Sequence, residues 1–357
     1  MRAMQGAADP LTAIASSPPQ FTAGEIASLV AEQYALHGEL DALVSERDQN
    51  FRLTTADQHR YVIKIANAAE AMATTDFQIR ALQHIQRTGC PVAVPQVVLT
   101  LGGATMTTAS SADAEHALRV VSYVPGRPLE DIEPDVILAR QLGRCLAEIG
   151  IALRGFEHPG DSQPLLWDMR RAAELRRLLR HITDAELRAE IGNCLDDFAD
   201  NVAPRLDMLR SQVIHNDMNP GNVLVTTKMP VSIAGVIDFG DMIRAPLVID
   251  VAVAASYLRS DDDDALAMLM SFVGGYAEVR QFEGAELEVL YDLVRTRLAT
   301  TLTILYWRVS ARGEADAYTT ESLQGGASAA RFLKRINRLS RSEFRTRLHD
   351  CCNLDTG

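Results

Sequence analysis

Positive charge is what this 357-residue chain has too little of. It carries 35 Lys and Arg against 47 Asp and Glu, a net charge of −12. Proteins that grip nucleic acid or an anionic membrane surface need a surplus of cations to meet phosphates. Neither partner is expected here. Cysteine is sparse and unpatterned: Cys90, Cys145, Cys194, Cys351 and Cys352 form an odd set with no C-x-x-C pair. The expected state is reduced thiols in a cytoplasmic protein. No uninterrupted apolar run approaches membrane-spanning length, and the first twenty residues lack the apolar core of a secretory signal. A Walker A motif is absent, so a P-loop fold is not expected. There is no internal repeat and no low-complexity domain. What is present is ordinary globular material, 47% apolar and 23% charged, enough for two domains or one large bilobal unit. The acidic balance suits a cationic, amine-bearing substrate. A few local cations and a metal ion suffice for a nucleotide.

Patterning divides the chain. Residues 1–20 are rich in Ala, Ser and Pro without periodicity and read as a loose tail. Thr22 and Glu25 form a capping-box pattern ahead of Ile26, Leu29 and Val30. Strand-like stretches follow at 40–45 and 51–54, joined by a polar tip. Arg60-Tyr61-Val62-Ile63-Lys64-Ile65 alternates, with Tyr61, Ile63 and Ile65 on one face and Val62 and Lys64 on the other. A helix is expected over 71–87, and further strands over 97–101 and 117–124. Together these form an N-terminal lobe of residues 21–121. Val124-Pro125-Gly126-Arg127-Pro128 breaks the pattern, so 122–128 reads as a hinge. Residues 129–345 then form a mainly helical lobe, and 346–357 a tail. Leu142, Leu146, Ile149 and Leu153 make one helical stripe, and further helices are expected over 184–199 and 285–306.

The chemistry is concentrated in His215-Asn216-Asp217-Met218-Asn219-Pro220-Gly221-Asn222 and in Gly235-Val236-Ile237-Asp238-Phe239-Gly240-Asp241. The spacing His-x-Asp-x4-Asn followed by Asp-Phe-Gly is the arrangement that phosphoryl transfer uses in kinase-like enzymes. Asp217 is placed to take or orient a hydroxyl proton. Asn222 and Asp238 offer the hard oxygens that Mg²⁺ shares with phosphates and water. Each alone is an ordinary turn residue; order and spacing make the set specific. A strand hairpin over 223–237 is expected to bring the two metal ligands together. His215 is expected to brace the loop rather than to act as acid or base. Asn216 stands where protein kinases carry an arginine that reads activation-loop phosphate, and no Ala-Pro-Glu follows Asp238, so a protein kinase is not expected. Lys64 is the candidate for the α- and β-phosphates. A kinase lysine usually pairs with a helix Glu; here the candidates are Gln78 and Asp76. The tip before Phe51 contains no glycine, so polar side chains and backbone amides, with Gln49 and Asn50 among them, must cover the phosphates. Asp241 is expected near substrate, and Asp250 is expected to brace the catalytic loop. The run Asp261 to Asp264 reads as a helix N-terminus rather than a metal site.

At these residues the chain resembles the aminoglycoside phosphotransferase and choline kinase superfamily. Asp48-Gln49-Asn50-Phe51, Val62 to Asn67, Ser122 to Pro128, Phe156-Glu157-His158-Pro159, Trp167-Asp168 and the Asp-Phe-Gly-Asp form of 238–241 resemble its hydroxylysine kinase subgroup. The resemblance spans roughly 21–340. It implies an α+β, bilobal kinase-like fold with a small N-terminal antiparallel sheet plus helix and a larger, mainly helical C-terminal lobe. It also implies Asp217 as base, Asn222 and Asp238 as metal ligands, Lys64 as the phosphate lysine, and Tyr123 and Val124 in the segment that receives the nucleotide base. The implied cofactors are Mg²⁺ and GTP or ATP, and the implied acceptor is a small hydroxylated amine or amino acid, foremost 5-hydroxy-lysine. An aminoglycoside, choline, homoserine or sugar acceptor, or a catalytically silent nucleotide-binding protein, are the alternatives.

Overall fold

A computed structural model describes residues 18–45, 47–312 and 317–352, apart from the side chains of 311–312 and 317–324. The tail expected over 1–20 lies outside the described residues up to position 17. The chain divides into two compact units. One comprises residues 1–125, 155–166 and 235–240; the other comprises 126–154, 167–234 and 241–357.

Among its described residues, the first unit is a sheet with two helices. Helix α1 (Ala23–Tyr34) opens with the Thr22–Glu25 capping box, both halves formed. Strands β1 (Gly38–Leu43), β2 (Gln49–Thr55), β3 (Arg60–Ile65), β4 (Val97–Val98), β5 (Thr107–Ser110) and β6 (Glu115–Ser122) build an antiparallel sheet in the order β1-β2-β3-β6-β4, with β5 also on β6. Ile63 and Ile65 point into a core with Ile26, Val30, Phe51, Leu53, Leu118 and Val120. The alternation of β3 therefore leaves Lys64 on the opposite face. Helix α2 (Met72–Thr88) ends at Gly89 in the left-handed conformation. Strand β2 starts earlier than the sequence suggested, so Gln49 and Asn50 lie in the strand and not in the tip. The tip itself is fastened by Asn67, whose amide N–H donates to Asp48 (3.3 Å) and whose side-chain Nδ2 donates to the Arg47 carbonyl (3.1 Å).

The second unit is mainly helical: α3 (Val136–Ala152), α4 (Ala185–Asp197), α5 (Leu247–Ala255), α6 (Ala267–Val279), α7 (Gly284–Arg312), α8 (Ala317–Ile336) and α9 (Arg341–Cys351). The stripe Leu142, Leu146, Ile149 and Leu153 is buried. Helices α3 and α6 approach backbone to backbone. A Cβ at Gly143 would lie 1.9 Å from the Phe272 carbonyl oxygen, and one at Gly275 would lie 2.0 Å from that of Arg140. Only glycine permits that separation. Short strands frame the motif loops. β8 (Ser211–Ile214) pairs antiparallel with β11 (Ile243–Pro246), and β9 (Val223–Val225) lies between β7 (Arg127–Pro128) and β10 (Ile233–Val236).

Two expectations need correction. The run Asp261 to Asp264 precedes α6 but does not form its first turn, which begins at Ala267. Its groups instead meet basic side chains of α8 and α9: Asp261 pairs with Arg331 (3.4 Å), Asp264 with Arg347 (2.5 Å), and the Asp262 carbonyl accepts from Arg335. The tail expected from 346 begins as helix, because Ser340 and Glu343 cap α9 and Phe344 and Leu348 are buried. Among the described residues no helix is long and apolar enough to cross a membrane.

Candidate active site

In the first unit, the far face of β3 presents Lys64, whose Nζ lies 3.1 Å from Asp238 Oδ1. Neither Gln78 nor Asp76 takes that pairing. Asp76 is engaged by His158 (3.0 Å) and by Arg80 (3.3 Å). Gln78 is buried; its Oε1 accepts from Arg119, and its Nε2 donates to the Gly240 carbonyl (3.3 Å). Arg119 stands directly opposite Lys64 in the β3–β6 register. A glutamate at 78 would point a second carboxylate at the Gly240 carbonyl. An amide satisfies an arginine and a carbonyl together, which accounts for the residue found here.

Asp238 adopts a left-handed backbone, φ 57°, a region that Asp tolerates better than most residues. The conformation lets Oδ1 accept the Gly240 amide (3.1 Å) as well as Lys64. The Lys64 charge holds the Asp238 carboxyl well below the usual carboxylate range, and the Gly240 hydrogen bond adds to this. The side chain keeps 47% of its surface exposed. It is therefore a carboxylate at any physiological pH, with both of these bonds on one oxygen.

Gln49 departs from its expected role. Its Oε1 accepts the Phe21 amide and its Nε2 donates to the Phe21 carbonyl, each at 2.8 Å. The side chain fastens the chain ahead of α1 to β2, and that double bond occupies the groups a nucleotide would use. Asn50 sits opposite Lys64 in the β2–β3 register and has a buried Oδ1 with no hydrogen-bond partner among the described residues. The Tyr123 amide donates to the Arg60 carbonyl (3.1 Å), its ring lies under the Arg60 guanidinium (4.4 Å), and Val124 is buried.

In the second unit, the loop after β8 is braced from within. Asp250 on α5 is buried and accepts the amides of His215 (3.1 Å) and Asn216 (2.8 Å). Burial pushes its carboxyl up to about 6 in spite of those two bonds. The His215 ring is fully buried, and its Nδ1 accepts the Asp217 amide (3.3 Å). Asn216 turns through φ 64°, and its Nδ2 donates to the carbonyl of buried Asp241 (3.1 Å). These bonds fix the backbone on either side of Asp217.

The Asp217 carboxylate is held by two amides. Asn219 Nδ2 donates to Oδ1 (3.0 Å) and Asn222 Nδ2 donates to Oδ2 (2.8 Å), with a further bond from Asn222 Nδ2 to the Asp217 carbonyl (2.9 Å). Both bonds from Asn222 leave through its nitrogen, so the amide oxygen is the atom it presents elsewhere. Asp217 keeps 23% of its side chain exposed. On α7, Arg297 places Nη2 3.9 Å from Asp217 Oδ1, with its guanidinium 4.7 Å from the Trp167 ring. Sequence reasoning missed Arg297, Asn219 and Arg119. The available signals were the Arg295-Thr296-Arg297 triplet flanked by Leu293, Val294 and Leu298, and a second cation on the strand paired with Lys64.

The model of the phosphotransferase enzyme family matches residues 42–290. The chain belongs to that family. It is a small-molecule phosphotransferase, a kinase acting on hydroxyl groups. Hydroxylysine kinase of Mus musculus is 25% identical over 314 residues, covering 81% of this chain and 83% of that one. Homoserine kinase of Rhizobium etli is 29% identical over 243 residues, covering 66% and 71%. Among solved structures, an amicoumacin kinase in complex with AMP-PNP, Ca²⁺ and its antibiotic superposes with a TM-score of 0.65 at 16% identity, covering 89% of this chain and 94% of that one. That likeness shows the kinase-like α+β fold.

Proposed function

We propose that this phosphotransferase moves the γ-phosphate of ATP or GTP to the hydroxyl of a small amino-bearing acceptor, foremost 5-hydroxy-lysine, with Mg²⁺ as cofactor. The observation that carries this reading is the fixed Asp217 carboxylate, held by Asn219 and Asn222 on a loop that Asp250 braces. A carboxylate so held is oriented before an acceptor arrives, and orientation is the larger part of its work when the transition state is loose. Asp217 accepts the hydroxyl proton as the oxygen bonds to the γ-phosphorus and the bond from that phosphorus to the departing ADP or GDP breaks.

Each proposed ligand, taken by itself, offers an oxygen of the kind a hard divalent cation takes. Asn222 offers an amide oxygen, and Asp238 offers a carboxylate whose two observed bonds fall on Oδ1. No cluster of three His, Cys, Asp or Glu forms a metal cage among the described residues. Two protein oxygens suit Mg²⁺, which completes its shell with phosphate and water. When bound, the cation neutralises charge on the phosphate oxygens. The AMP-PNP and Ca²⁺ of the amicoumacin kinase support a nucleotide and a divalent cation as joint requirements.

Lys64 takes the α- and β-phosphates, exchanging its carboxylate partner for phosphate oxygens. Residues 21–121 form the nucleotide-covering lobe, 122–128 the hinge, and 129–345 the catalytic and substrate lobe. Base recognition falls to the backbone at Tyr123 and Val124. The hydroxylysine kinase relatives support an amino-acid acceptor, and the homoserine kinase relative supports homoserine as the second choice.

A coupled turnover assay with ATP and GTP, across 5-hydroxy-lysine, homoserine, choline and aminoglycosides, tests the reading. Turnover with 5-hydroxy-lysine is expected, and Asp217→Asn is expected to lower kcat by about 10²–10⁴-fold. Undiminished turnover by that variant would remove the assigned base. Nucleotide binding without transfer to any acceptor would favour a silent binding protein.

A further inference from the structure

Two arginines on α7, two residues apart, are treated differently by the fold. Arg295 has three partners: Asn337 at 2.7 Å, Asp197 at 2.6 Å and Asp292 at 3.1 Å. Arg297 is more deeply buried, at 1% exposure. Its Nη2 makes a long contact to the Tyr257 hydroxyl (3.4 Å) and stands 3.9 Å from Asp217. Its Nε and Nη1 have no hydrogen-bond partner among the described residues. A buried guanidinium with two donors unmet is costly unless an anion completes it.

The same helix face carries two more unmet groups. Thr300 and Thr301 follow Arg297 at i+3 and i+4, which places them beside it on the helix surface. Threonines in helices commonly turn the hydroxyl back to a carbonyl of the preceding turn. Thr296 does so onto Asp292 and Thr303 onto Ala299, each at 2.7 Å. The hydroxyls of Thr300 and Thr301 are buried with no partner among the described residues. Both ends of this stretch of α7 are internally satisfied, and the middle is a patch of donors beside the catalytic carboxylate.

The geometry points to a carboxylate-binding subsite for the acceptor, formed by Arg297 with Thr300 and Thr301. This rests on Asp217 being the base of the proposed transfer. The acceptor is then a hydroxylated amino acid, its hydroxyl at Asp217 and its carboxylate on Arg297. Aminoglycosides and choline, which carry no carboxylate, lack a group for these donors. An anionic oxygen group has a second source, the phosphoryl group in transit. The patch extends one helical turn, about 5.4 Å, beyond Arg297, further than a phosphoryl group at Asp217 needs.

The test uses matched acceptors with the full chain: 5-hydroxy-lysine and homoserine, each beside the amino alcohol of the same skeleton lacking the carboxylate. Turnover and acceptor-induced thermal shift are both recorded. Wild type is expected to prefer the carboxylated member of a pair. Arg297→Gln is expected to cut that preference on the order of 10- to 100-fold, the usual worth of a charge-assisted hydrogen bond. Thr301→Val, which keeps side-chain shape, is expected to cut it several-fold, and it decides the matter if Arg297→Gln does not fold. Equal use of both members by wild type overturns the subsite. So does an Arg297→Gln defect that falls equally on both, or that appears as a raised nucleotide KM, since the charge then serves the phosphate or the fold. If no pair is turned over but 5-hydroxy-lysine or homoserine raises Tm in wild type and not in Arg297→Gln, the subsite stands and the proposed reaction falls. If no carboxylated acceptor is turned over or raises Tm, the subsite falls as well.

Discussion

Lys64 and Arg297 each stand beside a motif carboxylate, one in each unit, and the fold compensates them unequally. Lys64 has its charge met at 3.1 Å by Asp238. Arg297 stands 3.9 Å from Asp217, with two donors unmet in a buried setting. Under the proposed reading, the contrast separates a cation that exchanges partners from one that gains a partner. A lysine paired at rest is held in orientation by the carboxylate that phosphate would displace. An arginine left short of anions binds one strongly because nothing has to be displaced.

The largest effect that probes this contrast comes from Lys64→Met. It is expected to lower kcat/KM for the nucleotide by about 10²–10³-fold, the scale of losing one preorganised donor to a transferring group. The preference between matched carboxylated and decarboxylated acceptors should remain as in wild type. A change in that preference would mean that the two cations do not serve separate ligands. Next in size is Gln78→Leu, which leaves the buried Arg119 without its amide and the Gly240 carbonyl without its donor. A loss of about 1–3 kcal/mol in a urea unfolding series is expected. Unchanged stability would show that Arg119 finds another partner. Gly275→Ala is expected to cost a similar 1–3 kcal/mol by forcing α3 and α6 apart. Because that packing touches neither cation, its effect on KM for either substrate should be small, which makes it the control for general destabilisation.

The smallest effect concerns pH. Asp250 has its carboxyl raised by burial to about 6, above the ordinary value of 3.8. Between those two values the folded chain binds a proton that the unfolded chain has released, so this group's contribution to stability falls as pH rises from about 4 to about 6. Asp250→Asn removes that titration. Urea midpoints from pH 4 to 8 should therefore decline less with rising pH in the variant than in wild type. Parallel curves would assign the carboxylate an ordinary pKa.

Much of this was legible in the sequence, and the reasons differ by residue. The alternation of Tyr61, Ile63 and Ile65 gave the face on which Lys64 stands, because a strand's period of two leaves no other choice. Thr22 and Glu25 announced α1, since a capping box is local chemistry. Asp250 was expected to brace the loop, and its carboxylate accepts the His215 and Asn216 amides. The role of Gln78 was not legible, because it depends on Arg119, 41 residues away, lying opposite Lys64 across the β3–β6 register. Gln49 was assigned to phosphate when its amide serves the Phe21 backbone, a contact no periodicity encodes. Arg297 was invisible for a related reason. An arginine in a long helix has no motif, and only tertiary placement shows that Arg297 keeps two donors unmet.

The brace on the catalytic loop has a consequence for control. The groups that hold Asp217 in position, Asp250, His215 and Asn216, are all interior and all part of the same chain. A loop anchored this way stands ready without any covalent mark arriving from outside. If Asp217 is the base proposed above, its readiness is set by the interior of the fold.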